Sequence, residues 1–158
     1  MAEIIPLHQL QHKVELLRSR NKDIKIVATN GCFDILHVGH IRSLQKAKTF
    51  GDILIVGINS DSSIKELKGD LRPINNELDR AEVLASLECI NIVSIFNEKT
   101  AERFLEFIKP NIYVKGGDYD LETLPEAILV RKYHGQTIQV PLVPNSSTTK
   151  IIEKLKKN

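Results

Sequence analysis

The sequence predicts an α/β protein, a doubly wound parallel sheet of about five strands with helices on both faces. Three observations predict it. Short β-branched runs, residues 25–29 (KIVAT) and 53–58 (ILIVGI), read as strands buried on both faces. Between such runs lie stretches with apolar residues three and four apart, the spacing of one helix face. The two patterns alternate along the chain, and alternation calls for crossover helices between parallel strands.

The first helix rests on Leu7, Leu10, Val14 and Leu17, with Arg18 and Arg20 near its end. It forms an N-terminal helical extension over residues 1–22, ahead of the first strand. Asn30-Gly31 breaks that strand. A helix over about 38–50 carries Ile41, Leu44 and Ala47 on one side, and Gly51 stands where a left-handed C′ residue belongs. After the second strand, residues 59–63 read as a polar turn. Residues 65–76 show no clean period and read as a loop. A helix over 78–87 and a strand over 90–96 follow. The next helix begins at Thr100 and ends at Lys109-Pro110. A strand over 112–115, a helix over 125–133 and a strand over 137–142 complete the alternation. Residues 146–158 hold a terminal helix with Ile151, Ile152 and Leu155 inward. No repeat or linker interrupts the pattern, so 1–158 reads as a single domain.

The bulk numbers exclude several classes. A chain of 158 residues can build an ordinary core without disulfide or metal staples. With 42% hydrophobic and 27% charged residues it is no disordered chain. A net charge of +2 makes no electrostatic case for nucleic acid. Lys150, Lys154, Lys156 and Lys157 read as a solvated helix face rather than a lipid or nucleic-acid contact. No apolar run nears the roughly 20 residues of a membrane helix, Glu3 and His8 interrupt the start, and the expected compartment is the cytoplasm. Cys32 and Cys89 form no CxxC pair. Cys89 reads as a small core residue. Cys32 admits a reactive-thiol reading, against a plainer one as a residue tolerated in a tight turn.

In doubly wound sheets, ligands bind beyond the carboxyl ends of the strands, where the strand order reverses. The unusual polar segments 30–40, 59–63, 115–119 and 144–149 all fall at those ends. His37 and His40 flank Val38-Gly39 at a helix start, so both imidazoles share one side of the first turn. Gly39 leaves room for a phosphate beside the exposed amides, and the helix dipole favours an anion there. The plainer alternative is one capping and one core histidine. Gly31 and Gly39 lack the dinucleotide spacing, and no GxxxxGK[ST] occurs. A zinc site drawing on His37, His40 and Cys32 wants an adjacent third ligand.

The segment Gly-Cys-Phe-Asp-Ile-Leu-His-Val-Gly-His (31–40) resembles the HxGH signature of the cytidylyltransferase-like nucleotidyltransferase superfamily. Residues 55–61 (IVGINSD), 68–75 (KGDLRPIN), 114–119 (VKGGDY) and 146–152 (SSTTKII) resemble one branch of it. That branch is the D-glycero-β-D-manno-heptose 1-phosphate adenylyltransferase module of bacterial ADP-heptose synthesis. The resemblance covers the chain from about residue 7 and implies a Rossmann-like fold. It implies transfer of the adenylyl group of ATP to a heptose 1-phosphate, with release of pyrophosphate. His37, His40 and Lys68 would then be catalytic. Asn30, Gly31, Cys32, Phe33, Asp34, Gly39, Lys115, Gly117, Asp118, Ser147, Thr148 and Thr149 would bind nucleotide. Asn59, Asp61, Arg72 and Arg80 would clamp polyphosphate or sugar phosphate. Mg2+ would accompany ATP, with Asp34 the only protein ligand considered for it. Asp34 serves equally as a helix cap or structural hydrogen-bond partner, and Arg80 equally as solvated surface. For Ser147 to Thr149 the alternative is simple N-capping, against which their place at a strand's carboxyl end speaks, and for Lys68 the surface reading is the weaker one.

The resemblance further implies a homodimer and a separate heptose 7-phosphate kinase as functional partner. Cytidylyltransferase relatives often carry an Arg before the Ser/Thr run. Here Pro144-Asn145 stands there, which weakens a CTP reading. The alternatives are a cytidylyltransferase acting on glycerol 3-phosphate or a similar small phosphate, and a nucleotide-binding module without chemistry.

Overall fold

The computed structural model describes residues 1–157. Its strands are β1 (Glu3–Ile4), β2 (Ile26–Gly31), β3 (Ile53–Asn59), β4 (Ile92–Phe96), β5 (Ile112–Gly116) and β6 (Gln136–Val140). Its helices are α1 (Leu7–Arg20), α2 (Val38–Lys48), α3 (Asp61–Lys68), α4 (Glu77–Ala85), α5 (Glu102–Ile108), α6 (Pro125–Lys132) and α7 (Thr148–Lys156). All strand pairs are parallel, in the order β1-β4-β3-β2-β5-β6. The chain builds outward from β2 to β3 and β4, then crosses back to β5 and β6 on the other side. The reversal lies between β2 and β5.

The core divides by sheet face. Ile26, Ala28, Ile55 and Tyr113 pack with Leu10 and Val14 of α1, Phe104, Leu105 and Ile108 of α5, and Val130 of α6. Val27, Leu54, Val56 and Val93 pack with Leu44 and Ala47 of α2 and Ala81, Leu84 and Ala85 of α4. Residues from Leu54 through Ile58 of β3 are all buried, which is why that strand reads as an unbroken apolar run. At Gly57 a Cβ would lie 2.9 Å from the Phe104 ring, so the sheet centre accepts only glycine beneath α5.

Four expectations need correction. The sheet has six strands, since β1 pairs with β4 at the edge ahead of α1. A two-residue strand before Pro6 is too short to show a period. The expected turn and loop after β3 hold α3 instead. Ser60 caps this helix, its hydroxyl accepting from the Ser63 amide at 3.2 Å. Only Ser63 and Ile64 of α3 are buried, so no apolar stripe announces it. Gly51 is not a left-handed cap, because the cap is right-handed Thr49. A Cβ at Gly51 would lie 2.7 Å from the Lys25 carbonyl, so the glycine permits close packing against β2. Finally, α7 buries none of its residues fully. Ile151 and Ile152 are half-buried and Leu155 is 68% exposed.

Candidate active site

The crevice originates in the sheet. Backbone pairing of β2 with β3 runs on to Gly31, and pairing of β5 with β6 runs on to Gly116. Pairing of β2 with β5 comprises only Val27 with Ile112 and Ala28 with Tyr113. Beyond that point the two strands part. Side chains bridge the gap: the Thr29 hydroxyl donates to the Val114 carbonyl at 2.8 Å, and the Tyr113 hydroxyl donates to Asn30 Oδ1 at 2.6 Å. Above the split lies a cavity of about 310 Å3.

Twelve of the residues singled out in the sequence line this cavity: Asn30, Gly31, Cys32, Phe33, His37, Gly39, His40, Lys68, Lys115, Ser147, Thr148 and Thr149. Thr29, Ser43, Leu44, Gly116, Ser146 and the Pro141-Leu142-Val143 run join them. Ser43 lies one turn past His40 on α2, so helical spacing alone could have found it. The 141–143 run carries no chemical signal.

His37 and His40 stack, with ring centroids 3.8 Å apart and planes 25° apart. Phe33 meets His40 edge-on at 5.1 Å. Phe33 adopts left-handed backbone (φ 47°), and its ring lies where a Cβ on Gly31 would come within 3.0 Å. The left-handed conformation costs a non-glycine residue about 1–2 kcal/mol. The position that a side chain on Gly39 would take is bounded by protein. A Cβ there would lie 2.9 Å from the His37 ring and 3.1 Å from Ser146 Cβ. Gly39 thus lets His37 fold back across the helix start while itself lining the cavity.

Both histidines have a buried Nδ1 without a hydrogen-bond partner. A proton there would be buried without an acceptor, so the neutral ring keeps its proton on Nε2. Burial lowers the His37 pKa. Burial, then the His37 ring and the Lys68 ammonium, lower that of His40 to about 4. The crevice therefore presents two neutral imidazoles near pH 7.

Seven of the expected site residues do not line the cavity. Asp34 is a latch. Its carboxylate accepts from Arg72 Nε at 2.7 Å and from the Ile74 and Asn75 amides at 2.9 Å. Burial alone would raise its pKa, but these amides and Arg72 outweigh it and hold the carboxyl below its ordinary value. With both oxygens engaged, Asp34 is unsuited to ligate a metal, and Arg72 is turned toward Asp34.

Arg80 is 2% exposed, not a solvated cation. It donates to the carbonyls of Cys32, Asn59 and Asn75 and to the Asp61 carboxylate, at 2.8–3.0 Å. It ties together the ends of β2 and β3 and the segment before α4. Asp61 is spent on that pair, and Asn59 is buried against the Ser63 hydroxyl. Gly117 and Asp118 edge a separate, shallower hollow with Gln139, which shares Pro141 and Leu142 with the main cavity. Gly117 has φ 113°, a region open to glycine, and this lets the Tyr119 ring fold against it. Lys115 Nζ rests 4.7 Å from the centre of that ring.

The amino end of α7 closes the crevice. Ser147 caps the helix by accepting from the Lys150 amide at 3.1 Å. The Thr148 hydroxyl donates to the Ile35 carbonyl at 3.0 Å, fastening α7 to the histidine segment. The cavity lining thus offers two lysines, two imidazoles, several hydroxyls and two helix amino ends, with no carboxylate among its residues. Such a lining accepts a polyanion.

A parallel sheet carrying stacked HxGH histidines and an anion-accepting crevice at its switch point defines a nucleotidyltransferase. The chain belongs to the cytidylyltransferase-like family, whose model matches residues 28–154. It is 48% identical over 154 residues to the bifunctional protein HldE of Geobacter metallireducens, covering 98% of this chain and 31% of that protein. Against the bifunctional protein HldE of Geotalea uraniireducens, identity is 47% over 155 residues, with 98% and 31% covered. The chain spans about a third of the length of these curated relatives.

Among solved structures, it resembles the lipopolysaccharide core biosynthesis protein from Thermoplasma volcanium GSS1. The TM-score is 0.61 at 28% identity, over 78% of this chain and 99% of that one. Pantoate-beta-alanine ligase from Francisella tularensis shares the fold alone, with TM-score 0.63 at 18% identity over 99% and 77% of the two chains. Among the described residues, no helix is long and apolar enough to cross a membrane.

Proposed function

We propose that this nucleotidyltransferase transfers the adenylyl group of ATP to a heptose 1-phosphate, giving ADP-heptose and pyrophosphate. The observation that carries the reading is the carboxylate-free crevice between β2 and β5, with His37, His40, Lys68 and Lys115 on its walls. Similarity to bifunctional HldE proteins over 98% of the chain supports the heptose acceptor. The substrate is Mg·ATP, with the ion carried by the phosphates.

A phosphate oxygen of the sugar forms a bond to the α-phosphorus, and the bond from that phosphorus to the bridging oxygen of pyrophosphate breaks. The attacking phosphate is already an anion, so no strong general base is required. Catalysis is positioning and charge stabilisation. The Nε2–H groups of His37 and His40 donate to oxygens of the transferring phosphoryl group. Lys68 and Lys115 offset the charge of the two phosphates as they come together. The α7 amino end, with the Thr149 hydroxyl, holds the remaining phosphates. In this reading the protein acts in the cytoplasm as a homodimer, with a separate heptose 7-phosphate kinase acting upstream and the 7-phosphate hydrolysed from that kinase's bisphosphate product before adenylylation.

Pyrophosphate release, measured over ATP and CTP with heptose 1-phosphate and glycerol 3-phosphate, tests the reading. ATP with the heptose phosphate should turn over fastest. Turnover with CTP but not ATP would overturn it. His40→Ala should lower kcat by about 10²–10³, the loss of one transition-state donor.

A further inference from the structure

Tyr113 sits on β5 at the last backbone pair before β2 and β5 part. It is fully buried, packed among Ala28, Phe104 and Val130 on the α1 and α5 side of the sheet. Its hydroxyl reaches up to Asn30, the cavity-lining residue two positions past Ala28 on β2 and on the same face. A buried phenol proton needs an acceptor, and Asn30 Oδ1 supplies it at 2.6 Å. Among the described residues the Asn30 Nδ2 group has no hydrogen-bond partner and is not sealed from solvent, so its two donors are left for the crevice.

A primary amide is ambivalent, since it can turn either an acceptor or two donors toward a ligand. Every other polar side chain lining the crevice is a cation, an imidazole, a thiol or a hydroxyl. The Asn30 carbonyl is the one side-chain amide oxygen that could face an incoming anion. We propose that Tyr113 is a positioning residue that holds this oxygen down, so that Asn30 presents donors alone to a phosphate oxygen. The gap between β2 and β5 that opens the site thus also exposes the bond that sets its polarity. This rests on the proposed function only in requiring a polyphosphate in the crevice.

Calorimetric titration with inorganic tripolyphosphate tests it on the full chain. That probe reads the anion site whichever base or acceptor the enzyme uses, so failure of heptose adenylylation leaves the measurement intact. Asn30→Ala should weaken binding about fivefold and Tyr113→Phe about threefold, the scale of one ordinary net hydrogen bond at a solvent-open site. The double variant should bind no more weakly than Asn30→Ala alone, because Tyr113 acts only through that amide. Losses that multiply in the double variant would mean that Tyr113 shapes the crevice by packing, and would overturn the proposal. Unchanged affinity in Tyr113→Phe would do the same. Thermal melting of each variant alongside separates the hydroxyl's effect on the anion from any loosening of the sheet.

Discussion

Gly39 shows what one hydrogen atom in place of a methyl group does at this site. It is the second residue of α2, where alanine would be favoured over glycine by up to about 1 kcal/mol. Yet an added Cβ would press on the His37 ring at 2.9 Å and on Ser146 at 3.1 Å. Gly39→Ala should therefore cost activity without costing fold. We expect kcat to fall by one to two orders of magnitude, on the scale of a misplaced transition-state donor, while the melting temperature stays within a few degrees. Steady-state kinetics beside a thermal melt checks this; full activity would mean that the His37 position is immaterial. The HxGH pair was legible in the sequence because its chemistry is local, two rings one turn apart. The role of Gly39 was not, since Ser146 arrives from the far end of the chain.

Elements far apart in the chain are fastened by single polar groups, and these are what the sequence hides. The alternation of strands and helices was readable from periodicity, since β2, β3 and α1 bury continuous apolar sets. Helix α3 was missed because it buries only Ser63 and Ile64. Arg80 looked like a free cation because a basic residue on a helix reads alike whether solvated or buried. In the structure it joins β2, β3 and the segment before α4. Arg80→Met keeps the length of the side chain but strands three carbonyls. It should destabilise the fold by about 3 kcal/mol or more, read from urea denaturation. A phosphate clamp would behave oppositely, with stability kept and nucleotide affinity lost. Thr148→Val, which cuts the tie from α7 to the Ile35 carbonyl, should raise KM for the nucleotide several-fold while leaving kcat nearly unchanged. An equal fall in kcat would place Thr148 in the transition state instead.

At the scale of the whole molecule, the stacked imidazoles make folding stability depend on pH. The unfolded chain has ordinary histidines, near 6.5, whereas the folded crevice lowers His37 and takes His40 to about 4. Above pH 6.5 both states are neutral at these rings and stability is at its full value. Below it the unfolded chain binds protons that the folded chain refuses, so stability falls as pH drops toward about 4. Asp34 contributes little to this decline above about pH 5, because its carboxyl is held below the ordinary value when folded and its stabilisation is lost as pH falls through and below the unfolded value near 3.8. Urea midpoints at pH 7.5, 6 and 5 should decline, and more shallowly in His40→Gln, which removes the largest shift. Equal slopes in the two proteins would show that the ring pair is not the cause. A polyphosphate in the crevice reverses the preference, since an anion beside the rings favours their protonated form. Saturating tripolyphosphate should accordingly stabilise the wild type more at pH 5.5 than at pH 7.5, with protons taken up on binding. The site is then destabilising when empty and acid, and the substrate's charge makes its imidazoles compatible with the fold.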